Sequence, residues 1–468
     1  MTSRPAARNA CRPLALAVLC GFAAIPASAG PGPDLPVPIK NINTVTVVSS
    51  FDLGAQLGSF FYYRACEDVL GCELYRTPVA GTGAELVKDI RAGSPSSNPT
   101  GVVTAGGTLF FRGLQSLYKS DGTAAGTQLV EPFIQLPLGV GEEMAVLGNQ
   151  VVFKADHLGI EGEVWVSDGV TTTGFDICPG ACDANPLFFT TAGNRVFFVA
   201  DDGSGRDLWK YEAGAVTPLE VNPAGAAFPS NLAALNGNLL FYDNFGEVGL
   251  WVSDGATNTK IAGSLQDFSG LFELVVAGNL AYFDGCCGES LGRELWISNG
   301  TTAGTAPLID IHPGSTGSEP QQLTPVGSSI FFTADDGTGG RELWISVNGD
   351  GGTTLPLEIV PGGGAPSFLG SFTNLDGQRL FFAADDGSGT GREPWVSDGT
   401  PGGTTMVGDL ATGPDWGIGT PVVAASGWAY FPSSALDDGE ELWRSDGASA
   451  LKLTELGTMS SGSDIDEI

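Results

Sequence analysis

Residues 320–363 read PQQLTPVGSSIFFTADDGTGGRELWISVNGDGGTTLPLEIVPGG, and the punctuation of this stretch settles the architecture. Four short apolar runs, at 322–326, 330–334, 342–346 and 354–359, are separated by a Gly turn, an Asp-Asp-Gly turn and an Asn-Gly turn. Runs this short do not make helices, and Asp-Gly or Asn-Gly between such runs is the composition of a tight hairpin. The stretch therefore predicts four strands of one small antiparallel sheet. In the sister run ELWIS at 294–298, Leu295 and Ile297 fall on one side and Trp296 on the other. Both faces of the sheet are then apolar, and both must be covered.

The same grammar recurs along the chain. With the aromatic of Glu-Leu-Trp as a phase marker, the units centre on Tyr75, Tyr118, Trp165, Trp209, Trp251, Trp296, Trp344, Trp395 and Trp443, 42 to 51 residues apart. Four strands per repeat of this length is the pattern of a propeller blade, covered on each face by a neighbouring blade. The sequence predicts an all-β protein, a β-propeller of nine four-stranded antiparallel blades averaging about 46 residues. Eight blades is the alternative, should one of the degraded first two units stand outside the ring. The expected layout is a leader at 1–29, a linker at 30–44, the repeat domain at 45–457 and an acidic tail at 458–468.

Composition agrees. The 69 Gly and 29 Pro are too many for a helical protein, while 26 Phe supply a core. The 53 acidic residues against 21 Lys and Arg give a net charge of -32. A surface this negative repels phosphate backbones and anionic headgroups, which argues against nucleic acid and membrane surfaces as partners and leaves cations, neutral glycans, peptides or basic proteins. Arg4, Arg8 and Arg12, an apolar stretch from Leu14 to Ile25, and Ala27-Ser28-Ala29 are the three parts of a secretory signal, with cleavage expected near Ala29. No later stretch has the 18 or more apolar residues of a membrane span. Past the leader six Cys remain in three local pairs: Cys66 with Cys72, Cys178 with Cys182, and Cys286 with Cys287. In an oxidising compartment disulfides are the first reading of such pairs. A zinc site would want more Cys or His at its own spacing, and only His157 and His312 exist.

ELWISNGTTAGT from Glu294, EPWVSDGTPGGT from Glu393, ELWRSDGA from Glu441 and EVWVSDGV from Glu163 resemble the bacterial ELWxxDGT repeat family. The likeness covers nearly all of the chain past the leader. It implies export and a propeller-like repeat architecture, with Trp165, Trp209, Trp251, Trp296, Trp344, Trp395 and Trp443 as structural repeat positions. It carries no catalytic residue across.

The loop between the second and third strands holds the densest chemistry: Asp201-Asp202, Asp335-Asp336, Asp385-Asp386 and Asp437-Asp438, each pair followed by Gly. Paired carboxylates beside Gly suit a hard cation such as calcium. They suit a metal-free hairpin end equally, because Asp accepts the N–H two residues on and Gly takes positive φ. Arg206, Arg293, Arg341 and Arg392, at the start of the third strand, are expected to pair with these acids. Ser167, Ser253, Ser397 and Ser445 of Ser-Asp-Gly lack a recurring His and read as turn caps rather than nucleophiles. In such a blade the loop between strands two and three opens on the same face as the crossover to the next blade. Acids, proposed disulfides and varied loops thus gather on one face, the expected functional one. The leading functional expectation is an exported, non-catalytic module that binds or scaffolds. A propeller-type glycoside hydrolase or lyase and a self-associating surface protein are the alternatives.

Overall fold

The computed structural model describes residues 45–452 apart from 47–53, 68, 79–84, 134–135, 137–143, 158–159, 181, 223–226, 246–247, 264–272, 287–290, 358, 361–366, 412–416, 420–421, 426 and 434–440. The chain divides after Pro38, and every described residue belongs to the unit from Ile39 onward. The expected leader, linker and tail lie outside the described residues.

The strands form nine antiparallel sheets, each made of consecutive strands: 45–88, 100–131, 145–175, 187–219, 229–262, 274–307, 321–357, 367–406 and 423–452. These are blades 1 to 9 of a ring. In blade 7 the strands are Gln321–Val326, Ser329–Asp335, Arg341–Val347 and Leu355–Leu357, the four runs read from the sequence. The degraded first two units are blades 1 and 2. In blade 1 the first strand comes in two pieces, Val45–Thr46 and Ala55–Leu57, both paired with Phe60–Glu67.

First strands touch one another from blade to blade and so lie innermost. Among the described residues eight buried apolar clusters lie between consecutive blades, and the two faces of one strand feed different clusters. Trp296 packs with Leu240, Tyr242 and Leu250 of blade 5, whereas Leu295 packs with Ile330, Phe332 and Trp344 of blade 7. Each fully buried large apolar side chain contributes about 1.5–3 kcal/mol. This is the physical reason the third strand is apolar on both sides. Among the described residues no sheet mixes strands from the two ends of the chain. Among those residues Tyr63 of blade 1 lies near Tyr430 of blade 9, and burial, then that phenol, raise the Tyr63 pKa well above its ordinary value.

Candidate functional site

The repeat motifs turn out to hold backbone. In each described Asp-Asp-Gly loop the first Asp accepts the N–H of the Gly two residues on, at 2.8 Å for Asp201, Asp335 and Asp385 alike. The second Asp accepts the N–H of Ser204, Thr338 or Ser388 at 2.8–2.9 Å. Each loop is thus two overlapping Asx turns. The hydroxyls of Ser204 and Thr338, then their N–H groups, hold Asp202 and Asp336 below the usual carboxylate range. Among the described residues no group of three or more His, Cys, Asp or Glu converges as metal ligands. Asp437 and Asp438 lie outside the described residues.

The Ser of Ser-Asp-Gly is equally structural. Ser397 Oγ receives the Gly399 N–H at 3.1 Å and hydrogen-bonds Thr404 Oγ1 at 2.7 Å. Ser167 does the same with Gly169 and Thr172. Ser253 and Ser445 cap Gly255 and Gly447. All four are buried in the turn between strands three and four.

The Glu of Glu-Leu-Trp has a role that strand periodicity did not reveal. Glu163 accepts the N–H groups of Ile177, Cys178 and Ala184 at 2.9, 3.2 and 3.3 Å. Glu294 accepts those of Ile311, His312 and Ser318 at 3.0–3.2 Å. Glu73 accepts those of Ile90 and Ser97, and Glu393 those of Leu410 and Ala411. These buried carboxylates staple the crossover that leads to the next blade. Burial raises the pKa of all four, against the pull of the N–H donors, and pushes Glu393 to about 7. The signal was present as the repetition of Glu itself; its inward aim was not.

Crossovers and second-to-third-strand loops do share a face. Cys178 and Cys182 form a disulfide with Cα atoms 5.5 Å apart. A Cβ on Gly203, in the Asp-Asp-Gly loop of blade 4, would lie 3.3 Å from Cys178 Sγ. Cys72 is disulfide-bonded, and its cross-strand register partner is Cys66. Cys287 and the Cys286 side chain lie outside the described residues, as does the His157 side chain. The exposed apolar residues Val69, Leu114, Phe228, Phe245 and Phe368 stand in loops or strand starts of this same face.

Among the described residues seven blades place a cation at one level of the ring on this face. Blades 1 to 3 do so from the second strand with Arg64, Arg112 and Lys154; blades 4, 6, 7 and 8 from the start of the third with Arg206, Arg293, Arg341 and Arg392. The two positions meet: Arg293 pairs with Asp284 at 3.1 Å, and Arg341 bonds Thr333 Oγ1 at 3.1 Å. The pairing of Arg with loop acids expected from the sequence is met in blade 6, by Arg293 with Asp284, and other partners are seen elsewhere. Arg206 donates to the Asn185 carbonyl, Arg341 to that of Glu319, and Arg392 to Ser371 Oγ, because the Asp-Asp-Gly carboxylates turn into their own loops. Arg112 reaches Thr100 Oγ1 and the Leu136 carbonyl at 2.9 and 3.1 Å, both neutral. Among the described residues no helix is long and apolar enough to cross a membrane.

No family model matches this chain, and no curated protein matches it. Solved structures do. Porphyromonas gingivalis dipeptidyl peptidase 4 is 11% identical, with TM-score 0.50, over 77% of this chain and 60% of that one. The computationally designed Ika8 protein is 17% identical, with TM-score 0.39, over 75% of this chain and 96% of that one. A puromycin hydrolase is 14% identical, with TM-score 0.38, over 91% of this chain and 58% of that one. This chain thus spans less than two thirds of either enzyme, and the likeness to the peptidase is one of fold.

Proposed function

We propose that this chain is an exported, non-catalytic propeller of the ELWxxDGT type that binds a ligand through the face of its crossovers and second-to-third-strand loops. One observation carries the reading: the repeated Glu, Ser-Asp-Gly and Asp-Asp-Gly groups are occupied with backbone. What varies between blades, namely cations, exposed Phe and disulfide-tied loops, gathers on that one face. Rigid scaffolds with varied loops are where binding concentrates. Export rests on the tripartite leader at 1–29.

The test is a glycan and peptide array probed with the secreted full-length product, alongside N-terminal sequencing of that product. Selective capture of one ligand class and a start near Gly30 are expected. Turnover of a polysaccharide instead of retention would replace the binding reading by the enzymatic one. Calcium belongs to the same test. If the Asp-Asp-Gly loops are self-satisfied turns, excess calcium and EDTA give the same unfolding midpoint; a bound ion at a hundred times its Kd would add about 2.7 kcal/mol.

A further inference from the structure

Two rules of the repeat are broken at one corner of the ring, where blade 4 passes to blade 5. The first concerns the crossover residue whose carbonyl receives an N–H from the end of the second strand. In blades 2, 4 and 7 this residue is Ser97, Ala184 or Ser318, each buried, with its own N–H held by the Glu of the preceding blade. In blade 5 it is Phe228, whose carbonyl takes the Asn244 N–H and whose ring stands 43% exposed. Blade 4 carries the shorter Asp207 in place of the Glu, and that carboxylate accepts from Leu208 and Val221. The Phe228 N–H goes instead to Asp243 Oδ1 of blade 5 at 2.7 Å.

The second rule concerns the loop after the second strand. Four places beyond the register partner of the repeat Trp, blades 4, 7 and 8 carry Asp202, Asp336 and Asp386. Blade 5 carries Phe245 there, 60% exposed. Its N–H donates to the same Asp243 Oδ1 at 3.4 Å. One buried carboxylate thus gathers the backbones of two exposed Phe. The first strand between them is bulged. Its register slips at left-handed Asn231 (φ 50°), as those of blades 7 and 8 slip at Gln322 (57°) and Ser371 (55°). In blade 7 Glu273 of blade 6 braces the slip, accepting the N–H groups of Gln322 and Leu323 at 3.1 and 2.7 Å. In blade 5 Asn244 Nδ2 donates to Ser230 Oγ at 2.6 Å and ties loop to strand. Bulges re-aim the groups around them and recur beside functional sites.

The cation level of this face is also interrupted here. At the two positions from which seven blades send Arg or Lys, blade 5 has Tyr242 and Val248. Around the corner Asp207, Glu220 and Asp243 outnumber Arg206 and Lys260; burial, then the charges of Asp243 and Glu220, raise the Asp207 pKa, while Lys260 draws on Asp243. Arg206 already lies over one ring, its Cζ 5.9 Å from the Phe228 centroid, and the ring keeps its exposure. Aromatic faces attract guanidinium groups, which stack on them and shed water more readily than ammonium groups. A net charge of -32 draws a cationic partner to the face.

We propose that the blade 4–blade 5 corner, through the rings of Phe228 and Phe245, docks an arginine-bearing segment of a basic peptide or protein, with a guanidinium against the aromatic faces. The assignment rests on the binding-module reading. A neutral saccharide could use the same rings but would gain nothing from the charge.

The experiment is calorimetric titration of the full-length secreted protein with hexa-arginine, its uncharged isostere hexa-citrulline, and cellohexaose, at about 0.15 M salt, where exposed charges farther apart than ~8 Å are screened. Hexa-arginine is expected to bind, with hexa-citrulline at least tenfold weaker. Phe228→Ala and Phe245→Asp should each weaken hexa-arginine binding at least fivefold. The second variant is decisive, because it adds an acid: attraction to the acidic surface alone would strengthen binding. Both install a residue that another blade carries at that place, and circular dichroism checks their folding; were Phe228→Ala not to fold, Phe245→Asp at its exposed site decides. Binding unchanged or strengthened in Phe245→Asp, equal binding of hexa-citrulline, or no hexa-arginine binding at millimolar concentration overturns the proposal. Cellohexaose bound by the protein and lost in Phe245→Asp would overturn the cationic ligand while leaving the binding-module reading standing.

Discussion

Glu294 joins a strand to a crossover through three backbone N–H groups, two of them buried and that of His312 half-buried, so its removal orphans these donors. Leaving a buried donor unsatisfied costs ~1–3 kcal/mol. Glu294→Ala is expected to lose about 3 kcal/mol or more in urea unfolding, with Glu294→Gln losing less because the amide oxygen still accepts. The same carboxylates set a pH dependence. Glu393, at about 7, and Asp284, at about 6, are raised by burial above their unfolded values, so the folded protein holds these protons more tightly. Their contribution is complete below about 4, the unfolded range, and is lost as pH rises through about 6 to 7. The unfolding midpoint is expected to fall between pH 5 and pH 8, and Glu393→Gln should flatten that slope. A midpoint that climbs over this interval would show the carboxylates to be stabilised in the charged form.

Among the elements, the turn between strands three and four decides which substitutions a blade accepts. Gly399 sits at φ 88°, and a Cβ there would approach Ile345 Cδ1 of the preceding blade to 2.4 Å. Gly399→Ala combines backbone strain with a clash and is expected to cost about 2 kcal/mol or more in urea unfolding. Gly214 has nearly the same backbone, at φ 84°, with nothing within 4 Å of its Cβ position. Gly214→Asn, a residue that tolerates this conformation, should cost less than ~1 kcal/mol. The strands and their turns were legible in advance, because Asp-Gly and Asn-Gly between short apolar runs have few other uses. The first-strand bulges were not: nothing in Gln322 or Ser371 marks a left-handed residue, and the slip is visible only in the strand pairing.

For the molecule entire, the closure of the ring is the distinctive feature. Among the described residues eight blade seams carry a buried apolar cluster, while blade 9 meets blade 1 through Tyr63 and Tyr430 with no shared sheet. A seam across which the described residues share no strand is expected to open first, since local opening follows apolar contact and backbone pairing. Hydrogen exchange is expected to be fastest in the strands of blades 1 and 9 and slowest in blades 4 and 5. Uniform protection round the ring would show the seam to be as strong as the rest.

The blade itself was written in the order of the residues. Hairpin turns, alternation and a Trp-bearing strand apolar on both sides depend on neighbours in the chain alone, and they repeat nine times, so nine sheets followed. Local chemistry also identified the acids and cysteines of one face. What those groups do was settled by folding. Whether an Asp bonds its own loop, a Glu a crossover, or an Arg a strand start depends on which backbone lies within about 3 Å, the reach of a hydrogen bond. That proximity is set by side-by-side packing of blades, which brings Glu273 of one blade onto Gln322 and Leu323 of the next. The cation level and the Glu273-filled bulge are products of that packing, which the spacing of a repeat does not encode.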